Sequence, residues 1–178
     1  GKSFICIDDK NNNEIIKKIK IKNYYTYGTS INSQFRIRNI EQSKEFSKFS
    51  VDIKLPGKKD LTIKNILIPL LGLHNIRNAT AAIAVATTLG ISKEIIKNGL
   101  KGFKGVQRRF NKIFTYRETI FFDDYAHHPT EINEVLNGVR QVYKKEEIIC
   151  VFQPHRISRL NDLRKQFSES FKKANSVI

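Results

Sequence analysis

The chain has 178 residues and contains no Met and no Trp, with only 2 Cys, 4 Pro and 9 Gly. Each scarcity excludes something. Two isolated cysteines, Cys6 and Cys150, each inside an apolar run and without CxxC spacing, rule out a disulfide scaffold or a thiolate zinc site. They read as two buried thiols of a cytoplasmic protein. Low Pro and Gly exclude collagen and a flexible linker. No apolar run approaches the roughly 18 residues that a membrane span requires, and no basic segment followed by an apolar one marks a secretory signal at the start. The missing Met, with a first residue Gly1 that runs almost at once into strand-like Phe4-Ile5-Cys6-Ile7, leads us to expect a processed chain or a piece of a longer one.

What is present is charge and apolar patterning. There are 32 Lys+Arg against 17 Asp+Glu, a formal net charge of +15, with 40% hydrophobic and 10% aromatic residues. Such a balance raises a nucleic-acid or other polyanion-binding module as one functional class. The lysines are scattered in pairs, Lys17-Lys18, Lys58-Lys59, Lys144-Lys145 and Lys172-Lys173, without a basic block interleaved with aromatics. That pattern reads as solvated surface, and no nucleic-acid partner is expected.

Up to about Leu70, short β-like runs (Phe4–Ile7, Tyr24–Tyr27, Gln34–Ile40, Phe49–Leu55, Leu61–Ile68) alternate with Asn- and Gly-containing turns, and one short helix is expected over Asn13–Ile19. From Gly72 the period becomes helical. Ile76, Ala79, Ile83 and Ala86 recur at steps of three and four until Leu89-Gly90, and a second helix runs from the N-cap Ser92 to Leu100. Lys104-Gly105-Val106 is the best hinge. Beyond it the order is a strand pair (Arg109–Tyr116, Thr119–Asp123), a helix from Pro129, a strand over Glu147–Phe152, a helix over Leu160–Lys173 and a final strand. Strands alternating with helices predict parallel βαβ units, hence a small doubly wound domain beginning near residue 105.

In such sheets ligands bind beyond the carboxyl ends of the strands. Two polar loops occupy that place: Asp123-Asp124-Tyr125-Ala126-His127-His128-Pro129 and Gln153-Pro154-His155-Arg156-Ile157-Ser158-Arg159. If their strands are neighbours, two carboxylates, three imidazoles and two guanidiniums share one rim, suited to an anion, a sugar or a metal. The His spacing matches no standard metal pattern. Either Asp could instead cap a turn or pair with an arginine, and the arginines could be plain surface charge. Gly1-Lys2-Ser3 mimics the end of a phosphate-binding P-loop, but a P-loop must open a helix and this segment continues as a strand.

Four segments together, Gly72-Leu73-His74-Asn75-Ile76-Arg77-Asn78-Ala79, Gly105-Val106-Gln107-Arg108-Arg109-Phe110, Asp123 to Glu131, and Phe152 to Arg159, resemble the Mur ligases in order and spacing. They are most similar to the member that adds the first amino acid of the peptidoglycan stem peptide. Ile157 stands where that family usually has Tyr. The resemblance implies an α/β fold: the latter part of a central ATP-binding domain over residues 1–104, then part of a Rossmann-like C-terminal domain over 105–178, which closes over the substrates. It implies ATP with Mg2+, whose ligands and P-loop are expected upstream of Gly1, and joining of L-alanine to the carboxylate of UDP-N-acetylmuramate through an acyl phosphate. His74, Asn75 and Asn78 then correspond to adenine contacts, Arg109 to a phosphate-facing arginine and Asp124 to the ribose partner. Tyr125, His127, His128, His155, Arg156 and Arg159 correspond to the rim that receives alanine and product, with Arg109, His127 and His128 nearest the chemistry.

Overall fold

The computed structural model describes residues 1–18 and 23–178, and the chain divides into two compact units. The first comprises Gly1–Pro69 with His74–Phe103, the second Leu70–Leu73 with Lys104–Ile178.

The first unit carries one five-stranded sheet of strands β1 (Ser3–Cys6), β2 (Tyr24–Gly28), β3 (Phe35–Gln42), β4 (Ser47–Ile53) and β5 (Leu61–Ile68), in that order. β1, β2 and β3 are parallel; β4 and β5 continue antiparallel. Phe35 and Ile37, two apart on β3, are buried while Arg36 and Arg38 between and beyond them are not, the period-2 alternation of a half-buried strand. Phe49, Val51, Ile53, Ile63, Ile66 and Ile68 complete the sheet's share of the core. Asn39 (φ 52°) and Asn65 (φ 55°) sit where the β3–β4 and β4–β5 registers shift; Asn tolerates the left-handed conformation that a bulge needs. The register carries β3 two residues past the expected end at Ile40 and moves β4 two residues earlier than Phe49–Leu55.

Three helices accompany the sheet: α1 (Lys10–Lys18), α2 (Leu73–Thr88) and α3 (Lys93–Lys101). α1 begins three residues before the expected Asn13 because Asp9 caps it, its Oδ1 accepting the Asn11 N–H at 2.8 Å. The expected end at Ile19 lies outside the described residues. α2 buries Ile76, Ala79, Thr80, Ile83 and Ala84, and α3, capped by Ser92 at the Ile95 N–H, packs on β5.

Asp8 holds these pieces together. Its side chain, 7% exposed, accepts the N–H of Thr29 (2.9 Å) and of Ser30 (3.2 Å), the Thr29 hydroxyl (3.1 Å) and the Arg77 Nε (2.9 Å). The end of β1, the β2–β3 loop and the first turns of α2 therefore meet on one carboxylate. Gly28 (φ 146°) permits it: a Cβ there would lie 2.5 Å from Asp8 Oδ1. Burial alone would raise the Asp8 carboxyl, but the hydrogen bonds from Thr29, Arg77 and Ser30 outweigh it and hold the group below its ordinary 3.8.

The second unit contains the antiparallel hairpin β6 (Asn111–Tyr116) and β7 (Thr119–Asp123), helix α4 (Pro129–Val142), the short strand β8 (Ile149–Cys150), helices α5 (Ile157–Asp162) and α6 (Arg164–Ser170), and strand β9 (Ser176–Val177). Ile132, Leu136 and Phe167 form its core, flanked by Ala126, Ile148, Phe152, Leu160 and Leu163. β8 and β9 pair in parallel with α5 and α6 between them, the βαβ crossover the alternation predicts. Arg140 closes this crossover, donating to the carbonyls of Tyr143, Glu146 and Lys173 and to Asn175 Oδ1 at 2.6–3.3 Å.

Four expectations are corrected here. The strand over Glu147–Phe152 is only Ile149–Cys150, paired with Ser176–Val177. The helix over Leu160–Lys173 starts at Ile157 and is broken at Leu163 (φ −114°, ψ 21°). The strand expected from Arg109 starts at Asn111, because Arg108 and Phe110 adopt positive φ. β7 pairs with β6 and β8 with β9, in separate sheets, so the two polar loops do not follow hydrogen-bonded neighbouring strands. Cys6 and Cys150 are free and half-buried, and burial pushes both thiols up.

Removing the Asp8 charge should therefore loosen the first unit. Asp8→Asn is expected to cost about 2 kcal/mol, the scale of losing one partner of a mostly buried charged hydrogen-bond set. Urea unfolding at pH 7 measures it, and Gly28→Ala should lower the midpoint as well. Because the folded carboxyl titrates below the unfolded one, the Asp8 contribution is whole above about pH 4 and disappears as pH falls through the folded value. The two unfolding curves should converge in acid; a constant gap down to pH 2.5 would disprove the assignment.

Candidate functional site

The first polar loop is built around Asp124, one residue past the end of β7. Its Oδ2 accepts the Phe110 N–H at 2.7 Å and its Oδ1 the Ala126 N–H at 2.6 Å. The Tyr125 N–H in turn donates to the Arg108 carbonyl at 2.8 Å. The segment 105–110 is thus latched to the loop after β7, which explains how Arg108 (φ 58°) and Phe110 (φ 52°) stay in a left-handed conformation. Stacking of Phe110 on Phe122, centroids 4.4 Å apart and 4° from parallel, fixes the other side of the latch. Of the two alternatives raised for the aspartates, Asp124 takes the turn and Asp123 the arginine, at 3.7 Å from Arg108 Nε.

The latch fixes the start of Arg109's side chain. Its Nη1 lies 3.7 Å from Glu131 Oε1. The other Glu131 oxygen accepts the His127 N–H at 3.0 Å and stands 3.4 Å from His127 Nδ1, which is itself 2.9 Å from the Tyr125 carbonyl. Burial raises the Glu131 carboxyl, but the His127 N–H and the charges of His127 and Arg109 outweigh it, and the group sits below its ordinary value. The Tyr125 ring lies 5.0 Å from the His127 ring and carries the Arg108 guanidinium at 4.7 Å. His128 is the N-cap of α4, its Nδ1 accepting the Thr130 N–H at 3.3 Å.

The second loop reaches the first through Arg159, whose Nη1 donates to the His127 carbonyl at 3.3 Å. One hydrogen bond thus does what neighbouring strands were expected to do. Arg109, Asp124, Tyr125, His127 and Arg159 are gathered on one side of the second unit. His155 and Arg156 are exposed in the second loop, with Arg156 at φ 68° just ahead of α5. His74, Asn75 and Asn78 belong to the first unit, on the opening turns of α2; His74 and Asn75 are half-buried and Asn78 exposed. Asp8–Arg77 anchors those turns from the residue between Asn75 and Asn78.

Glu131, to which the sequence assigns no role, is the carboxylate that stands between Arg109 and His127. The signal was available: a Glu at the third helical position after a polar N-cap is the capping-box spacing. Among the described residues no group of three or more His, Cys, Asp or Glu gathers as a metal requires, so these residues do not fit a Mg2+ site. Nor, among them, is any helix long and apolar enough to cross a membrane.

Two family models match the chain: the Mur ligase middle domain over residues 1–86 and the Mur ligase glutamate ligase domain over 108–178. The UDP-N-acetylmuramate--L-alanine ligase of Pelagibacter ubique is 72% identical over all 178 residues, and that of Caulobacter vibrioides 38% identical. The chain spans 38% of the length of each. The crystal structure of the UDP-N-acetylmuramate-alanine ligase of Thermotoga maritima superposes with a TM-score of 0.70 at 31% identity, covering 86% of this chain and 33% of that one.

If Asp124 is the latch, Asp124→Ala should raise amide hydrogen exchange at Phe110 and Ala126 at least tenfold while leaving the α4 amides within about twofold. Unchanged protection at Phe110 would show that the positive-φ turn holds itself.

Proposed function

The chain belongs to the Mur ligase family, carrying residues of its middle and C-terminal domains, and we propose that the protein it comes from is the cytoplasmic ligase joining L-alanine to UDP-N-acetylmuramate in peptidoglycan synthesis. The 72% identity to such a ligase along the whole chain carries this reading. We take the joint between the two domains to lie at Lys104–Val106.

In this reaction the γ-phosphoryl group of ATP passes to the muramyl carboxylate, giving an acyl phosphate and ADP. The L-alanine amine then attacks the acyl carbon. The tetrahedral intermediate expels inorganic phosphate, and the amine's proton is lost to leave the amide. Negative charge accumulates first on the transferred phosphoryl group and then on the intermediate's oxygen, so fixed positive groups accelerate both steps. Arg109, with a latched backbone and a planar guanidinium fork that matches phosphate oxygens, is assigned to the phosphoryl group. Asn75 and Asn78, with His74, are assigned to adenine, for which side-chain amides offer the donor and acceptor pairs. Asp124 is assigned to the ribose, whose hydroxyls a carboxylate can accept.

The rim of Tyr125, His127, His128, His155, Arg156 and Arg159 is assigned to alanine and product. Alanine brings a carboxylate, which a guanidinium fork binds in bidentate fashion, and an amine whose proton an imidazole can accept. Mg2+, bound by residues outside this chain, would supply further charge neutralisation on the phosphates. No specific observation favours the polyanion-binding alternative.

Two measurements test the reading. In the full-length ligase, Arg109→Ala should lower turnover on the order of a hundredfold or more, as loss of a transition-state charge partner does; wild-type turnover would make Arg109 structural. The 178-residue chain by itself, which contains no complete GxxxxGK[ST] loop, should release no ADP when mixed with ATP, Mg2+, UDP-N-acetylmuramate and L-alanine. Steady ADP release would refute the assignment of the P-loop to a segment outside it.

A further inference from the structure

Glu131 lies on the first turn of α4 and is shared between two groups that the proposed reaction uses. One oxygen faces Arg109 Nη1 at 3.7 Å, the other takes the His127 N–H at 3.0 Å and faces His127 Nδ1 at 3.4 Å. Arg159 reaches the carbonyl of that same His127 from the second loop. Glu131 is therefore the point at which the segment 105–110, the loop after β7 and the start of α4 meet through a single side chain.

The plain alternative is a helix cap: Glu at the third position of α4 satisfies an N–H ahead of the helix and needs no charge to do so. Two features go beyond a cap. A cap accepts N–H groups at the helix start, whereas Glu131 also turns its second oxygen toward a guanidinium from a different segment. At 3.7 Å, with the two side chains 51% and 35% exposed, that ion pair adds little to folding. An exposed Arg carries large rotamer freedom, and fixing it matters only where its position matters. The geometry points to Glu131 as a positioning residue that holds the Arg109 guanidinium and the His127 imidazole in a fixed relation, so that the phosphoryl-facing cation and the group beside the incoming amine are set by one carboxylate. This rests on the assignment of Arg109 to the phosphoryl group.

Glu131→Gln separates the two roles, because Gln at this position still accepts the His127 N–H while losing the charge that faces Arg109. In the full-length ligase the variant should keep its thermal midpoint within about 2 °C and its KM for ATP within about threefold, while kcat falls at least tenfold. In an Arg109→Ala background the same change should reduce kcat at least threefold less than it does in the wild type, since the cation it positions is gone.

Three outcomes overturn the proposal, and each says why. Wild-type turnover of Arg109→Ala alone removes the phosphoryl assignment and this proposal with it. A crippled Arg109→Ala with an equal loss from Glu131→Gln in both backgrounds keeps that assignment and ends the positioning role. A Glu131→Gln variant with unchanged kcat leaves Glu131 as a helix cap and nothing more.

Discussion

Asp8 accepts the Thr29 and Ser30 N–H groups and the Arg77 guanidinium, and on that one side chain three segments of the first unit converge. The constraint is set by hydrogen-bond accounting. A loop crossing the end of a parallel sheet presents backbone N–H groups that no strand can pair, and leaving them buried and unsatisfied costs about 1–3 kcal/mol each. A carboxylate is acceptor-only and can collect several of them, and Arg77 neutralises the charge that burial would otherwise penalise. Gly28 follows from this as a steric condition, since any Cβ there occupies the space of the carboxylate.

The second unit solves the same problem with Asp124. Here the gathered N–H groups belong to Phe110 and Ala126, and the cost is backbone strain at Arg108 and Phe110. A left-handed non-Gly residue costs roughly 1–2 kcal/mol, whereas a short hydrogen bond to a charged acceptor contributes about 1.5–3 kcal/mol. Two such bonds to Asp124, with the Phe110–Phe122 stack, outweigh two strained residues. The strain is what sends the Arg109 side chain toward α4 rather than along a strand, which is why the pattern-based strand starting at Arg109 is two residues too long. Local apolar alternation argued for a strand; a carboxylate fourteen residues away decided otherwise.

This difference describes what was legible in the sequence. β5 and β7 could be read to the residue, because alternation and flanking turn residues agree, and so could the N-cap Ser92 and the first-turn Pro129, whose chemistry is local. The run Ile148–Phe152 is apolar throughout, yet only Ile149–Cys150 pairs as a strand, with Ser176–Val177. The two polar loops are recognisable by their residue types, whereas the pairing of their strands is not, and β7 and β8 belong to separate sheets. The loops are joined by Arg159 at the His127 carbonyl, a long-range contact that no periodicity encodes. Glu131 was visible as capping-box spacing, but its second partner, Arg109, comes from across the unit.

The charge surplus finds its meaning in the same contacts. A guanidinium offers five donors in a planar fork, so it can be committed to fixed acceptors, while an ammonium on a flexible stem stays hydrated. Arg77 is committed to Asp8, Arg140 to three carbonyls and Asn175, Arg159 to His127, and Arg108 to Asp123 and the Tyr125 ring. These four arginines are thus held by acceptors or a ring within their own units. The surplus is carried by lysines such as Lys58, Lys59, Lys144, Lys145, Lys172 and Lys173, which are exposed and follow no single element. A polyanion surface needs its charge aligned along a groove or helix. Here the lysine charge is dispersed, and an ordered charge sits at Arg109, whose guanidinium is turned toward the Glu131 carboxylate but not buried by it.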